Sequence, residues 1–173
     1  MEKGVVIKST GSRYRVLCDV TGIVECTIKG KFRVKGMRPT NPLAVGDRVI
    51  VDISIREGTG VIIELLELAN YLIRKASNLS KESQILAANV DQVFLMVTIK
   101  LPETPVEFID RFLVTTEAYR VKTAIIFNKT DLYDETEKER MEYLISLYSQ
   151  IVYDCYRLSL IRETDTVSLV AAM

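Results

Sequence analysis

TAIIFNKTDL, residues 123–132, joins two stretches of opposite character. Ala124, Ile125, Ile126 and Phe127 form a short apolar run, the pattern of a strand buried on both faces in a parallel sheet. The run ends abruptly in Asn128, Lys129, Thr130 and Asp131. In open α/β sheets, ligands bind in the crevice outside the carboxyl ends of the strands, which is where this polar loop would sit. The flanks continue the same alternation. Val90–Thr98 reads as a strand, Leu101–Pro105 as a loop, and Val106–Tyr119 as a helix with Ile109, Phe112, Leu113 and Tyr119 on one face. Glu135–Tyr148 reads as a second helix, with Met141, Leu144, Ile145 and Tyr148 in one stripe and acids crowding its first turn. Ile151–Leu158 follows as a third strand, then Ser159, and Thr164–Met173 begins another helix. This half is predicted to be α/β.

Asn128-Lys129-Thr130-Asp131 resembles the guanine-specificity loop of GTP-binding proteins, and the residue types suit that task. Guanine presents two adjacent donors, the N1 hydrogen and the exocyclic N2 amine, and one carboxylate accepts both as a charge-assisted pair. Adenine has no such edge, so Asp131 would be left unpaired against it, and a polar site that loses its partner discriminates strongly. By the same resemblance, Lys129 lays its aliphatic stem along the base, and Asn128 braces the loop and touches the base edge. A plain polar turn after a strand is the alternative. The strand before the loop and the helix after it favour the specificity loop.

Upstream, the chain has another texture. All eight glycines lie between Gly4 and Gly60. β-rich runs near Gly4–Lys8, Arg13–Cys18, Ile23–Lys29, Asp47–Ile55 and Gly60–Leu66 alternate with turn-forming clusters. Five such strands predict a small closed barrel of the OB type, although other small barrels fit nearly as well. The boundary is placed near residue 72, giving a barrel over 1–72 and the α/β part over 73–173, with Ala69–Ala88 as connector. Within the barrel, Lys29, Lys31, Arg33 and Lys35 alternate with Gly30, Phe32, Val34 and Gly36, and Arg38 follows. In an extended chain the alternating cations share one face. That face is either solvated or a phosphate-contacting surface for RNA, since OB folds commonly bind nucleic acid. Phe32, Tyr14 and Tyr71 are candidates for base stacking, with core or surface roles as the competing reading.

Bulk composition narrows the class without naming a partner. The formal net charge is zero, yet residues 1–75 carry 13 basic and 8 acidic side chains and residues 76–173 carry 10 and 15. A basic front and an acidic back suggest two units with different surfaces. Cys18, Cys26 and Cys155 show no C-x-x-C spacing and the chain contains no histidine, so no zinc site of the usual kind is expected. Reduced core thiols of a cytoplasmic protein fit this usage. The amino terminus, MEKGVVIKSTGSR, lacks the apolar stretch of a secretory signal, and no apolar run approaches bilayer-spanning length.

A nucleotide hydrolase of the GTP-binding class also needs a glycine-rich phosphate loop ending in Gly-Lys-Ser/Thr. Gly30-Lys31 fails, because Glu25 stands at the first glycine position and Phe32 at the Ser/Thr position. No glycine follows Gly60. Either the α/β part binds no nucleotide, or the order of motifs is permuted and the phosphate loop is to be sought beyond Met173. The permuted order matches a known family. The chain resembles the circularly permuted GTPases of small ribosomal subunit biogenesis, the RsgA (YjeQ) family. The resemblance runs through Val45-Gly46-Asp47-Arg48-Val49, Glu57-Gly58-Thr59-Gly60, Ile73–Ser80, Ala87–Gln92, Ile109-Asp110-Arg111-Phe112-Leu113 and Asn128–Asp131. It implies a partial, circularly permuted P-loop GTPase domain behind an OB barrel. It also implies a protein that binds the 30S subunit and 16S rRNA and hydrolyses GTP to GDP with Mg²⁺. The switches and a carboxyl-terminal zinc domain would lie outside this chain. Guanine contacts are then expected from Asn128, Lys129 and Asp131. Where the family carries Ser-Ala, this chain has Ser159-Leu160, and the backbone N–H at Leu160 would meet guanine O6. The expectation is a cytoplasmic monomer with no membrane partner, inactive as these 173 residues alone. An RNA-binding module with a non-catalytic α/β scaffold is the rival reading, and a nucleotide-independent interaction protein the third.

Overall fold

The structure, a computed structural model, describes residues 1–28, 42–54, 58–75 and 83–161. It divides into two compact units, Met1–Val90 and Asp91–Met173. In the first unit, β1 (Glu2–Ser9), β2 (Tyr14–Cys18), β3 (Gly22–Ile28), β4 (Arg48–Ser54) and β5 (Thr59–Leu65) close a barrel in the order β1-β2-β3-β5-β4. β4 returns to β1, so the sheet has no edge, and only β3 with β5 is parallel. The period-2 pattern builds it: along β2, Tyr14, Val16 and Cys18 are buried while Arg15 and Leu17 face out. Val6, Tyr14, Val16, Val24, Val49 and Ile62 fill the interior. Tyr14 is fully buried and its hydroxyl donates to the Gly11 carbonyl at 2.8 Å, so it is a core residue and not a stacking platform. Burial, with Cys18 and Glu25 nearby, pushes the Cys26 thiol up to about 11.

The stretch expected to be a connector is a β-hairpin. β6 (Tyr71–Lys75) pairs antiparallel with β7 (Ser83–Ala88). Two asparagines close its base. Asn70 accepts from Val90 N–H at 2.7 Å and donates Nδ2 to Val90 O at 2.8 Å, as a backbone partner would. Asn89 accepts from Ala69 N–H and donates Nδ2 to the Gly46 carbonyl, both at 2.9 Å. Ala88 N–H also donates to Val45 O at 2.8 Å. These bonds join the hairpin to the barrel, and residue 72, near which the junction is expected, lies in β6. Gly46 makes the approach possible: its φ is +90°, and a Cβ there would lie 1.8 Å from the Ala88 carbonyl oxygen. Beside it, the fully buried Asp47 accepts from Ala44 N–H at 2.7 Å.

In the second unit, β8 (Gln92–Val97), α1 (Val106–Ala118), β9 (Lys122–Phe127), α2 (Glu135–Gln150) and β10 (Asp154–Arg157) alternate in the expected way. The sheet runs β10-β9-β8, all parallel. β9 is central and buried from Thr123 to Phe127. Ile109 and Leu113 of α1 and Met141, Leu144, Ile145 and Tyr148 of α2 pack into its core cluster. A capping box starts α2: Glu137 N–H donates to Asp134 Oδ1, and Asp134 N–H to Glu137 Oε2, each at 3.0 Å. The third strand begins later than its apolar pattern suggests. Ile151 caps α2, and Val152 takes a positive φ of 72° in the turn, so both are exposed and pairing starts only at Asp154. The expected helix over 164–173 lies outside the described residues. Among the described residues, no helix is long and apolar enough to cross a membrane.

Candidate functional site

The site is built where the three parallel strands end together. Val97 of β8 and Arg157 of β10 both align with Phe127 of β9. Two further bonds carry the register one step past the sheet: Asn128 N–H donates to Val97 O at 2.9 Å, and Leu158 N–H to Phe127 O at 2.8 Å. The polar loop therefore leaves the sheet from its centre, flanked by the exits of both neighbours.

Asn128 is only 7% exposed. Its Nδ2 meets the thioether of Met96 at 3.4 Å, and its Oδ1 is buried with no hydrogen-bond partner. Lys129 adopts the left-handed conformation, φ +65°, and its ammonium donates to the Leu101 carbonyl. Thr130–Leu132 form one 3-10 turn, tied down where Thr130 N–H and Oγ1 both reach Leu158 O at 3.3 Å. Asp131 is half-buried, and its Oδ1 accepts from the Ser159 hydroxyl at 2.5 Å. Ser159 is fully buried; Leu160 beside it is 62% exposed.

The structure thus gathers Asn128, Lys129, Asp131 and Ser159 into one loop cluster, with Leu160 at its margin. A carboxylate gripped on one oxygen by a hydroxyl keeps acceptor capacity for a neighbouring pair of donors. Lys29, Lys31, Arg33, Lys35 and Arg38 all lie outside the described residues. Among the described residues, no group of three or more Asp, Glu, Cys or His is placed to hold a metal ion.

One residue of the cluster escaped the sequence reading. Tyr133, 5% exposed, donates its hydroxyl to Asn128 O at 2.5 Å and accepts from Ile99 N–H at 2.9 Å. Burial raises its phenol above the ordinary value. Its only sequence signal is an aromatic residue placed between the polar loop and the Asp134 helix cap.

Residues 65–173 match the RsgA GTPase family, and residues 3–62 match the RsgA N-terminal domain. The chain belongs to the RsgA GTPase family. The small ribosomal subunit biogenesis GTPase RsgA of Bacteroides fragilis (strain ATCC 25285) is 56% identical over 157 residues, covering 91% of this chain and 50% of that relative. Among solved structures, YjeQ from Thermotoga maritima superposes with a TM-score of 0.71 at 34% identity, over 91% of this chain and 51% of the other. YloQ, described as a circularly permuted GTPase, gives a TM-score of 0.75 at 26% identity, over 100% of this chain and 56% of the other. The fold is accordingly an OB barrel followed by part of a circularly permuted GTPase domain. The chain spans about half the length of the curated RsgA relatives it matches.

Proposed function

We propose that this chain is the guanine-reading half of a GTPase that acts in late maturation of the 30S ribosomal subunit. The observation that carries the reading is the loop cluster itself: Asp131 held by Ser159 at 2.5 Å beside the buried, unpartnered Oδ1 of Asn128. An unpaired buried acceptor costs about 1–3 kcal/mol. Such groups in native proteins point to a strained, functional or ligand-completed site. In this reading, Asp131 accepts the N1 and N2 hydrogens of guanine, and Ser159 fixes the carboxylate. Lys129 lies along the base, Asn128 touches its edge, and the Leu160 N–H donates to O6. The barrel binds 16S rRNA through Lys29, Lys31, Arg33, Lys35 and Arg38, whose cations would neutralise phosphates.

Hydrolysis of GTP to GDP and phosphate depends on a phosphate cradle with its lysine and Mg²⁺. This chain has no glycine after Gly60 from which to build one. The cradle, the Mg²⁺ site and a zinc domain belong, in this proposal, to sequence of the kind that fills the other half of the RsgA relatives. These 173 residues alone are then expected to hydrolyse nothing and to bind GTP in the millimolar range, about −4 kcal/mol. Titration with GTP and with ATP, followed by NMR at the amides of residues 128–131 and 159–160, tests the reading. Saturable millimolar shifts with GTP and none with ATP support it. Equal responses to both nucleotides contradict base recognition, and micromolar GTP affinity contradicts the missing phosphate cradle.

A further inference from the structure

We infer that Tyr133 is a positioning residue for guanine selection, its hydroxyl fixing the Asn128–Lys129 peptide and so the aim of Asp131; the inference rests on the guanine reading above. The ring is held in the apolar core with Val97, Ile99 and Phe127, so the hydroxyl is delivered from a rigid base. It has one proton to donate, and that proton goes to Asn128 O at 2.5 Å. Its acceptor side takes Ile99 N–H at 2.9 Å. One side chain therefore links the exit of β8 to the first peptide of the loop after β9.

That peptide is the one that matters. The Asn128 carbonyl lies in the same plane as Lys129 N, so holding the carbonyl sets the φ of Lys129, observed at +65°. A left-handed lysine persists only where its surroundings over-determine it. The loop's other anchors include Val97 O on Asn128 N–H at 2.9 Å, Leu101 O on the Lys129 ammonium, Leu158 O on Thr130 at 3.3 Å and Ser159 on Asp131 at 2.5 Å. None of these bonds the Asn128 carbonyl, which takes the Tyr133 hydroxyl. With the hydroxyl gone, the Asn128 carbonyl is free to turn, Lys129 relaxes towards negative φ, and Asp131 is carried away from the geometry that Ser159 defines. The ring alone, as phenylalanine, still fills the core. Tyr133 would then touch no base atom and act wholly through Asn128 and Asp131.

The test is the ratio of GMP to IMP affinity, because IMP lacks the exocyclic amine that Asp131 is built to grip. Chemical-shift titrations of the 173-residue chain compare wild type, Tyr133→Phe and Tyr148→Phe. Tyr148 is a matched control: it is also buried, and its hydroxyl donates to Asp110 at 2.9 Å, between α1 and α2 and away from the loop. Wild type and Tyr148→Phe are expected to favour GMP about tenfold, the loss of roughly one charged hydrogen bond, and Tyr133→Phe only about twofold. An unchanged ratio in Tyr133→Phe overturns the inference. So does an equal fall in both variants, which would mark a general loss of stability. A wild type that does not distinguish GMP from IMP and AMP removes the guanine reading itself, and the inference with it. Should Tyr133→Phe not fold, amide exchange in the wild type decides. The Ile99 amide is expected to exchange as slowly as those of β8 and more slowly still with GMP; a fast-exchanging Ile99 amide overturns the inference.

Discussion

The Gly46–Asp47 corner of the barrel and the Asn128–Asp131 loop of the α/β unit are both short polar motifs that carry the RsgA resemblance, and they are finished in opposite ways. At the corner, bonding closes on itself. Asp47 takes Ala44 N–H, Gly46 O takes the Asn89 amide, and Asn89 in turn holds Ala69. In the loop, Asp131 and Ser159 hold each other, but Asn128 Oδ1 is left buried and unpaired, and among the described residues no other buried side-chain nitrogen or oxygen is so left. Motifs that look alike as strings separate by leftover hydrogen-bonding capacity. A motif that satisfies itself serves the fold, and one that keeps an open acceptor is prepared for something else.

The largest effect should come from the closed motif. Gly46→Ala puts a methyl group 1.8 Å from the Ala88 carbonyl at a φ of +90°, which neither backbone can relieve without moving. It is expected to destabilise the first unit by about 2–4 kcal/mol and to leave the loop amides of residues 128–131 unshifted. Urea unfolding followed by residue-resolved amide exchange checks both. A mild loss would mean that the hairpin is not held against the barrel as described.

A pair of asparagine deletions separates the motifs further. Asn89→Ala strips partners from Gly46 O and Ala69 N–H, and should cost about 1–3 kcal/mol without altering nucleotide response. Asn128→Ala removes only a weak contact with Met96 and an unpaired oxygen, so stability should move by no more than about 1 kcal/mol while GTP-induced shifts vanish. Equal stability costs in the two variants would erase the distinction between a closed and an open motif.

The smallest effect concerns the barrel's partner. If Lys31 and Arg33 contact phosphates, the double change Lys31→Ala, Arg33→Ala should flatten the slope of log K against log[salt] for 30S binding by roughly 1.5. Sequence preference should barely change, because phosphate contacts position and do not specify. Identical slopes would make the run a solvated face.

How much of this was legible in advance follows from which interactions the sequence displays. β-rich runs set between turn-forming clusters placed all five barrel strands, and the apolar run before Asn128 placed β9, because burial and turns write directly into composition. The β6–β7 hairpin was not legible. Tyr71, Leu72 and Ile73 are each only half-buried, so no apolar period appears, and the base of the hairpin is held by the amides of Asn70 and Asn89. Ile151 and Val152 misled for the converse reason: they are β-branched and apolar but spent on a helix cap and a turn. In the site, the Asn-Lys-x-Asp string pointed to the loop and the resemblance to Ser159. Tyr133 was hidden because its contribution is two backbone hydrogen bonds, which leave no spacing pattern.

The most direct measurement of the claim that this loop reads guanine is a base swap at Asp131. A carboxylate accepts the two hydrogens that guanine offers, whereas an amide also donates, which suits the carbonyl that xanthine carries at the same edge. GMP and XMP affinities are to be measured for the wild-type chain and for Asp131→Asn by chemical-shift titration. The expected result is a wild type that prefers GMP and a variant whose preference reverses towards XMP, each by roughly ten- to a hundredfold, as charged hydrogen bonds of about 1.5–3 kcal/mol imply. Affinities for both nucleotides that stay unchanged in Asp131→Asn would contradict the assignment of this loop to guanine.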